Sequence, residues 1–255
     1  MLFDSHIHTE FSTDSKMWIS EAIEKAEELN IGLILTEHMD INYPEKDSFI
    51  FSPEEYFKEY EKYKSNKLLL GIELGMQPNC VLEGKKIIEK YPFDYVLGSI
   101  HLVDGIDIYL ENYYKGRSKK ETFEMYFKFM LDCLNAYTFI DSLAHIDYIS
   151  RYARYDDSEL IYEDFYEYID EILKTAVQKN IALEINTRRF ESNKSIRNVQ
   201  KIYKRFYELG GRIVTLGSDS HQKGQIGYKL DIAKDMADSC GLKAVYYKNR
   251  KPEYI

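Results

Sequence analysis

Seven short apolar stretches separated by helical segments constrain the fold of this 255-residue chain more than any other feature. They predict strands at residues 2–8, 31–38, 67–75, 94–101, 139–145, 181–186 and 212–219. Between them, the sequence Ser52-Pro53-Glu54-Glu55 is typical of a capped helix start. A second helix is indicated by apolar residues at i, i+3 and i+4 spacing, namely Tyr162, Phe165, Tyr166, Ile169, Ile172 and Leu173. This alternation favours a parallel sheet with helical crossovers.

The absence of a linker or a change in composition favours one domain over residues 1–255. A single α/β barrel commonly has about this length. We therefore predict an α/β fold, a TIM-type barrel one strand short, with its functional site at the C-terminal ends of the strands. A doubly wound open sheet is the alternative that the pattern leaves open.

The charge and the cysteines narrow the classes of function and partner. A net charge of −9 disfavours a nucleic acid or an anionic membrane as partner. The three cysteines, Cys80, Cys133 and Cys240, are too far apart for a thiolate zinc motif and predict no disulfide framework. No segment has the roughly 18–20 apolar residues of a membrane helix, and the start, MLFDSHIH, lacks the features of a secretory signal. We expect a cytoplasmic protein with a small-molecule ligand, and the sequence leaves the oligomeric state open.

All six histidines lie at or just after the C-terminal end of a predicted strand, and they are His6, His8, His38, His101, His145 and His221. Residues at i and i+2 of a strand share a face, so His6 and His8 are expected to point the same way, as are Asp219 and His221. Two carboxylates, Glu73 and Asp14, occupy similar positions. Any one of these histidines, taken alone, is more often a hydrogen-bonded polar residue than a ligand. As a set they predict a metal site.

The donor types and their number indicate a cluster of metals. Imidazole and carboxylate together suit zinc, iron and manganese. There are more donors here than one tetrahedral ion needs, so we predict two or three ions. Such clusters activate water and stabilise charge during phosphoryl transfer to water. Of the neighbouring carboxylates, we expect a structural role for Glu37, polar packing in the barrel for Glu184, and either a ligand or an imidazole-orienting role for Asp4.

Six motifs along the chain resemble those of the polymerase and histidinol phosphatase (PHP) family, in the same order. They are DSHIHTEFSTDS, LTEHMD, GIELG, GSIHLVDG, LAHIDY and LGSDSH. The resemblance implies a distorted (β/α)7 barrel. It also implies one metal held by His6, His8, Glu73 and Asp219, a second held by Glu73, His101 and His145, and a third held by Asp14, His38 and His221. Many family members have histidine where this chain has Asp14.

The closing segment, GLKAVYYKNRKPEYI, resembles the stand-alone histidinol-phosphatase branch of that family. This implies hydrolysis of L-histidinol phosphate to L-histidinol and phosphate, a step of histidine biosynthesis, with a metal-activated hydroxide as nucleophile. In that branch arginines hold the substrate phosphate, and the candidates here are Arg151 and Arg188, with Arg189 as the alternative to Arg188. The leaving alkoxide is expected to be bound by a metal or protonated by a nearby acid, for which Asp14 and His38 are the candidate catalytic residues.

Two other interpretations remain open at this point. The same cluster could act on another small phosphate, such as a nucleotide or phosphotyrosine, or the barrel could bind metals without catalysis. A metal-dependent amide or ring hydrolase is disfavoured because no strand ends in a lysine that could bridge two metals. The tyrosine-rich loop at 108–116 is expected to be a surface loop, with a role over the imidazole of the substrate as the second possibility.

Overall fold

The computed structural model describes residues 1–255 and contains a nine-stranded sheet and a small hairpin. The sheet order is β1-β2-β3-β4-β7-β8-β9-β10-β11. The strands are β1 (Phe3–Ile7), β2 (Gly32–Met39), β3 (Leu68–Gly75), β4 (Tyr95–Ser99), β5 (Leu102–Val103), β6 (Ile106–Asp107), β7 (Ser142–Leu143), β8 (Ala182–Asn186), β9 (Ile213–Gly217), β10 (Lys243–Lys248) and β11 (Lys251–Tyr254).

Helices connect these strands, and their apolar faces pack on the outside of the sheet. They are α1 (Ile19–Leu29), α2 (Pro53–Tyr60), α3 (Val81–Lys90), α4 (Glu111–Tyr114), α5 (Lys119–Ala136), α6 (Tyr148–Tyr152), α7 (Tyr162–Gln178), α8 (Asn193–Glu208) and α9 (Leu230–Ser239), with short 3-10 turns at Glu61–Tyr63 and Lys223–Gln225. No helix is both long and apolar enough to cross a membrane.

The capped helix start at Ser52 and the amphipathic helix from Tyr162 are both present, but one residue of the second helix was placed on the wrong face. The Ser52 side chain accepts a hydrogen bond from the Glu55 N–H at the start of α2. Helix α7 begins at Tyr162, as the spacing predicts, and buries four of the six apolar residues named for it, Phe165, Ile169, Ile172 and Leu173. Tyr166 is 51% exposed, so its predicted place on the buried face is wrong. Its hydroxyl instead bonds the neighbouring Glu167 carboxylate at the surface.

The seven predicted strands correspond to β1, β2, β3, β4, β7, β8 and β9, and each pairs in parallel with the next. The fifth is much shorter than predicted, since only Ser142 and Leu143 form ladder pairs. The first and last strands of this series meet through a bridge between Ile7 and Ser220, where the His8 N–H donates to the Ser220 carbonyl at 2.9 Å. The sheet therefore curls into a distorted barrel without a continuous closing ladder, and the predicted fold class is confirmed.

A C-terminal hairpin covers the end of the barrel where the strands begin. Strand β10 pairs in parallel with the start of β9 and in antiparallel with β11. Its Tyr246 ring stacks on Phe3 with 3.8 Å between centroids. Val245 and Tyr247 belong to a small buried cluster with residues from the starts of the barrel strands. The interior of this end is filled with apolar side chains, and all six histidines lie toward the opposite end.

Replacing Arg250 by alanine is expected to destabilise the fold by about 1–3 kcal/mol. Arg250 follows β10, and its Nε–H donates to the carboxylate of Asp141, which also accepts the Val96 N–H. Burial raises the pKa of Asp141. Arg250 lowers that pKa by stabilising the charged carboxylate, but the effect of burial is larger. Without Arg250, a carboxylate that is 9% exposed loses its cationic partner. Urea unfolding measures this effect, with the exposed Lys251→Ala as the matched control. Equal stability of the two variants would contradict the prediction.

Candidate metal centre

All nine predicted metal ligands lie together at the end of the barrel where the parallel strands terminate. His6, His38 and Glu73 lie within β1, β2 and β3, and His8, His101 and His145 follow β1, β4 and β7 closely. Asp219 and His221 follow β9, and Asp14 lies in the loop after β1. Parallel strands carry their carboxyl ends to one side of the sheet, so residues distant in sequence converge there.

The first group of donors is formed by His6, His8, Glu73 and Asp219. The Nε2 atoms of His6 and His8 lie 3.3 and 3.4 Å from Oε2 of Glu73. The same nitrogens lie 3.8 and 3.7 Å from Oδ1 of Asp219. Four donors around a tetrahedral zinc ion at about 2.0–2.1 Å are spaced by roughly 3.3 Å. The spacing of this group is close to that value.

The second group shares Glu73 with the first. Its other carboxylate oxygen, Oε1, lies 3.2 Å from Nε2 of His101 and 2.9 Å from Nε2 of His145. The two oxygens of one buried carboxylate thus face two different sets of histidines. This is the arrangement of a carboxylate that bridges two cations.

The third group consists of Asp14, His38 and His221 and is the most exposed. Oδ2 of Asp14 lies 3.1 Å from Nε2 of His221, and Oδ1 lies 3.6 Å from Nε2 of His38. The two imidazole nitrogens are 3.5 Å apart. The Asp14 side chain is 41% exposed, whereas that of His38 is 8% exposed. An ion in this group would therefore be the one nearest to solvent.

Several donor atoms in these groups are buried without a hydrogen-bond partner. Nε2 of His6, Nε2 of His8 and Oε2 of Glu73 are all in this state. A buried polar atom with no partner is costly, and native proteins seldom tolerate one without a reason. Three such atoms around one point fit a bound cation, which would satisfy all of them. The histidine and carboxylate donors suit zinc, iron or manganese.

The carboxylates of the centre are held in the ionised form that metal binding requires. Burial raises the pKa of Glu73, but the surrounding histidines, His6 foremost, outweigh it and hold that pKa well below its usual range. Burial also raises the pKa of Asp219, and Arg151 together with the histidines outweighs it in the same way. Both side chains are therefore available as anionic donors.

In three histidines Nε2 faces the other metal donors, and Nδ1 contacts a side chain that fixes the orientation of the ring. His8 Nδ1 lies 3.0 Å from the Ser12 hydroxyl, and His101 Nδ1 lies 3.0 Å from Oδ1 of Asp40. His6 Nδ1 lies 2.7 Å from Oε1 of Glu184. Sequence reasoning missed Asp40, although it follows β2 at the same end of the barrel. It assigned Glu184 to packing, and the contact with His6 corrects that assignment.

Two other carboxylates near the centre have structural roles. Glu37 accepts hydrogen bonds from Thr9 and Ser12 and so fixes the loop after β1, as predicted. The Asp4 carboxylate accepts from Ser218 and from the Gly227 N–H, so the expectation that it is a ligand or orients an imidazole is wrong. The ladder between β1 and β2 shifts register after Asp4, which sequence alternation does not reveal.

Asp219 and His221 also reach the site differently from the predicted strand geometry. Strand β9 ends at Gly217, and Asp219 has a φ of 56°. The pair therefore lies in a turn rather than on one face of a strand. Both side chains still face the centre, since Oδ1 of Asp219 lies 3.7 Å from Nε2 of His8 and Nε2 of His221 lies 3.1 Å from Oδ2 of Asp14.

Two of the three candidate arginines line the cavity that contains the metal groups. This cavity has a volume of about 170 Å³ and includes Arg151 and Arg188. Arg151 donates to Oδ2 of Asp219 at 2.9 Å, and Arg188 donates to the Asp219 carbonyl at 2.7 Å. Arg189 is turned away and pairs with Asp147 and Glu159. The geometry therefore favours Arg188 over Arg189 as a phosphate contact.

A second cavity of about 440 Å³ adjoins the first and is both aromatic and acidic. It shares Asp14, His38, His101, Tyr148 and Tyr152 with the metal cavity, and its outer part includes Asp107, Glu45, Tyr43, Phe49, Tyr109 and Leu110. The Asp107 carboxylate accepts from the Tyr43 hydroxyl and the Tyr109 N–H. The loop at 108–116 therefore contributes to the cavity wall through Tyr109 and Leu110, although Tyr109 is 56% exposed.

Replacing Asp40 by alanine is expected to weaken metal binding by about 10- to 100-fold, because His101 loses the carboxylate that fixes its ring. Asp40→Asn should have a smaller effect, since the amide oxygen can still accept the Nδ1–H. Competition with a chelator, followed by elemental analysis, measures both variants. Equal metal affinity of Asp40→Ala and the unmodified chain would refute the orienting role.

A distorted parallel barrel that gathers histidines and carboxylates at its strand ends, with arginines beside them, has the architecture of a metal-dependent phosphoesterase. The family model for the PHP domain matches residues 4–188. The chain belongs to this family.

Similar proteins and a solved structure agree with this membership. A probable histidinol-phosphatase of Clostridium acetobutylicum is 55% identical over the full length of both chains. The histidinol-phosphatase of Lactococcus lactis is 32% identical over 86% of this chain and 83% of its own. The crystal structure of histidinol phosphate phosphatase from Lactococcus lactis, in complex with zinc, L-histidinol and phosphate, matches with a TM-score of 0.94 at 28% identity and covers 99% of this chain and 98% of its own.

Proposed function

We infer that this chain is a metal-dependent phosphomonoesterase that hydrolyses L-histidinol phosphate to L-histidinol and phosphate. The observation that carries this inference is one cavity whose lining includes members of all three donor groups and two arginines. The full-length relationship to histidinol-phosphatases supports the choice of substrate. So does the match to a structure that contains zinc, L-histidinol and phosphate.

The metal centre is proposed to hold two or three ions of zinc, iron or manganese through the nine residues of the three groups. When bound, such ions lower the pKa of water and neutralise charge on a phosphoryl group. The protein residues hold the donors at fixed spacing, because Glu73 is buried and is surrounded by histidines on both sides.

Arg151 and Arg188 are proposed to bind the phosphoryl oxygens. A guanidinium group offers paired N–H donors that match a phosphate, and its charge remains at any physiological pH. Hydrogen bonds to Asp219 hold both side chains before substrate arrives, so little reorganisation is needed in the transition state.

Of the two candidate proton donors to the leaving alkoxide, His38 is better suited than Asp14. Burial raises the pKa of Asp14, but His221 and His38 outweigh it and hold that pKa far below its usual range. An ionised carboxylate has no proton to donate. Burial lowers the pKa of His38, whereas Glu73 and Asp14 raise it to about 10. We therefore propose Asp14 as a metal ligand. His38 is proposed as the proton donor when the centre holds two ions and the third group is empty, and as a ligand when that group holds an ion.

The acidic and aromatic cavity is proposed to hold the organic end of the substrate. L-Histidinol has an ammonium group, which the carboxylates of Asp107 and Glu45 attract, and an imidazole, whose N–H can donate a hydrogen bond to them. Aromatic side chains such as Tyr43 and Tyr109 suit stacking on an imidazole or a cation. The same cavity would repel the additional phosphates of a nucleotide, which disfavours that alternative.

We propose a single domain over residues 1–255 and a cytoplasmic location. A continuous core of 63 buried residues, drawn from β1 through β10, supports the single domain. Three widely separated free cysteines and the relationship to biosynthetic enzymes support a reducing compartment. The net charge of −9 supports a small-molecule partner rather than nucleic acid.

The test is phosphate release from L-histidinol phosphate compared with nucleotides, sugar phosphates and phosphotyrosine, using protein whose metals have been counted by elemental analysis. We expect two or three ions per chain and a preference for L-histidinol phosphate by orders of magnitude in kcat/KM. If another phosphate ester were preferred, the proposed substrate would be wrong, but the proposed metal centre would not be contradicted. A protein that bound no metal and hydrolysed none of these compounds would refute the proposed enzymatic function.

A further inference from the structure

The carboxylate of Glu184 lies beside the metal centre and contacts two of its three groups. Oε1 accepts a hydrogen bond from Nδ1 of His6, in the first group, at 2.7 Å. Oε2 accepts one from the backbone N–H of His145, in the second group, at 2.8 Å. It also accepts one from the Asn186 side chain at 3.2 Å. Glu184 is 2% exposed, so these contacts have no competition from solvent.

The contact with His6 determines which nitrogen of that ring can bind a metal. A neutral imidazole has one N–H and one lone pair. Because Nδ1 donates to Glu184, the lone pair is on Nε2, which faces Glu73 and Asp219. Nε2 of His6 is one of the buried atoms without a hydrogen-bond partner. Glu184 therefore directs the lone pair of His6 into the first group.

A carboxylate satisfies this position better than an amide of the same size. One of its oxygens faces the N–H of His6, and the other faces the N–H groups of His145 and Asn186. A glutamine would place its NH2 group against one of these donors in either orientation. The requirement is thus for two acceptors and not for volume alone.

Gly217 provides the space that lets Glu184 reach His6. Strand β8 pairs with β9 in the register Asn186 to Gly217, next to the Glu184 carboxylate. A Cβ atom at position 217 would lie 2.2 Å from Oε1 of Glu184 and 2.6 Å from Cβ of His6. Any residue other than glycine would therefore displace one of the two partners.

We propose that Glu184 is a positioning residue of the metal centre. It selects the tautomer of His6 and fixes the backbone of His145, so that the first and second groups are assembled by one side chain. Gly217 is the residue that admits it. This role rests on the proposed metal-dependent function, but it is defined by metal affinity and does not depend on the identity of the substrate.

The test compares Glu184→Gln and Gly217→Ala with the full-length holoenzyme. We expect at least one ion per chain to bind about 10- to 100-fold more weakly, measured by chelator competition and elemental analysis. Excess zinc or manganese should restore both the melting temperature and kcat, because mass action offsets a weaker dissociation constant. The KM should change little in the metal-loaded variants. A residue with only a packing role would not respond to added metal.

Asp141→Asn is the matched control, since it also changes a buried carboxylate to an amide but lies just before β7, at the opposite end of the barrel. It should lower the melting temperature without changing the metal content. Metal affinity equal to that of the unmodified chain in both Glu184→Gln and Gly217→Ala would overturn the proposal, as would a loss that added metal does not restore. If Glu184→Gln failed to fold, Gly217→Ala would still decide. An unmodified chain that bound metals but did not hydrolyse L-histidinol phosphate would refute the substrate alone.

Discussion

Replacing Glu73 by glutamine is expected to lower kcat/KM by about 10³-fold or more, since the charge that joins two metal groups is lost. Each oxygen of Glu73 lies near two or more imidazole nitrogens, at 2.9 to 3.4 Å. An amide of equal size keeps one acceptor and presents an NH2 group to the other set. Both the first and the second group therefore lose a donor, and elemental analysis should find fewer ions per chain.

The control for this variant is Asp94→Asn, another buried carboxylate that becomes an amide. Asp94 lies just before β4, accepts the N–H groups of Leu70 and Asn249, and belongs to the far end of the barrel. It should lose stability and keep its metals. A Glu73→Gln variant with unaltered metal content and kcat/KM would refute the bridging role of this residue and with it the proposed order of the centre.

The main features of the site follow from sequence because they depend on topology. Histidines at the C-terminal ends of parallel strands all lie at the same end of the barrel, whatever the details of packing. His38 and His145 are 107 residues apart in the chain, yet both approach the Glu73 carboxylate, at 2.9 Å in each case. The alternation of strands and helices was sufficient to predict their convergence.

Other features depend on local geometry that the sequence pattern does not contain. Asp4 was misjudged because the ladder shifts register after it. Asp40 and Glu184 were missed as orienting residues because their role depends on which imidazole nitrogen a side chain reaches after packing. Strand β7 is short because Asp141, just before it, bonds the neighbouring strands outside the regular ladder. It does so through both its backbone and its side chain.

The second large effect is expected for Arg188→Ala, which should reduce kcat/KM by about 10²- to 10³-fold, the usual result of removing one preorganised donor to a developing anion. Arg188 lines the metal cavity, and its guanidinium is held by the Asp219 carbonyl and Oε1 of Gln225. Because neither partner of Arg188 is a side chain of the metal groups, its removal leaves their donors intact. Metal content should therefore be unchanged.

Two further variants separate charge from geometry at this position. Arg188→Lys keeps the charge but loses the paired N–H donors, so it should recover only part of the lost activity. Arg189→Ala is the neighbouring control, because Arg189 pairs with Asp147 and Glu159 instead of facing the cavity. It should lose stability while retaining kcat/KM and the inhibition constant for inorganic phosphate. If Arg189→Ala weakened phosphate inhibition and Arg188→Ala did not, the assignment of the phosphate contact would have to be reversed, and with it the side of the metal cavity at which the phosphoryl group binds.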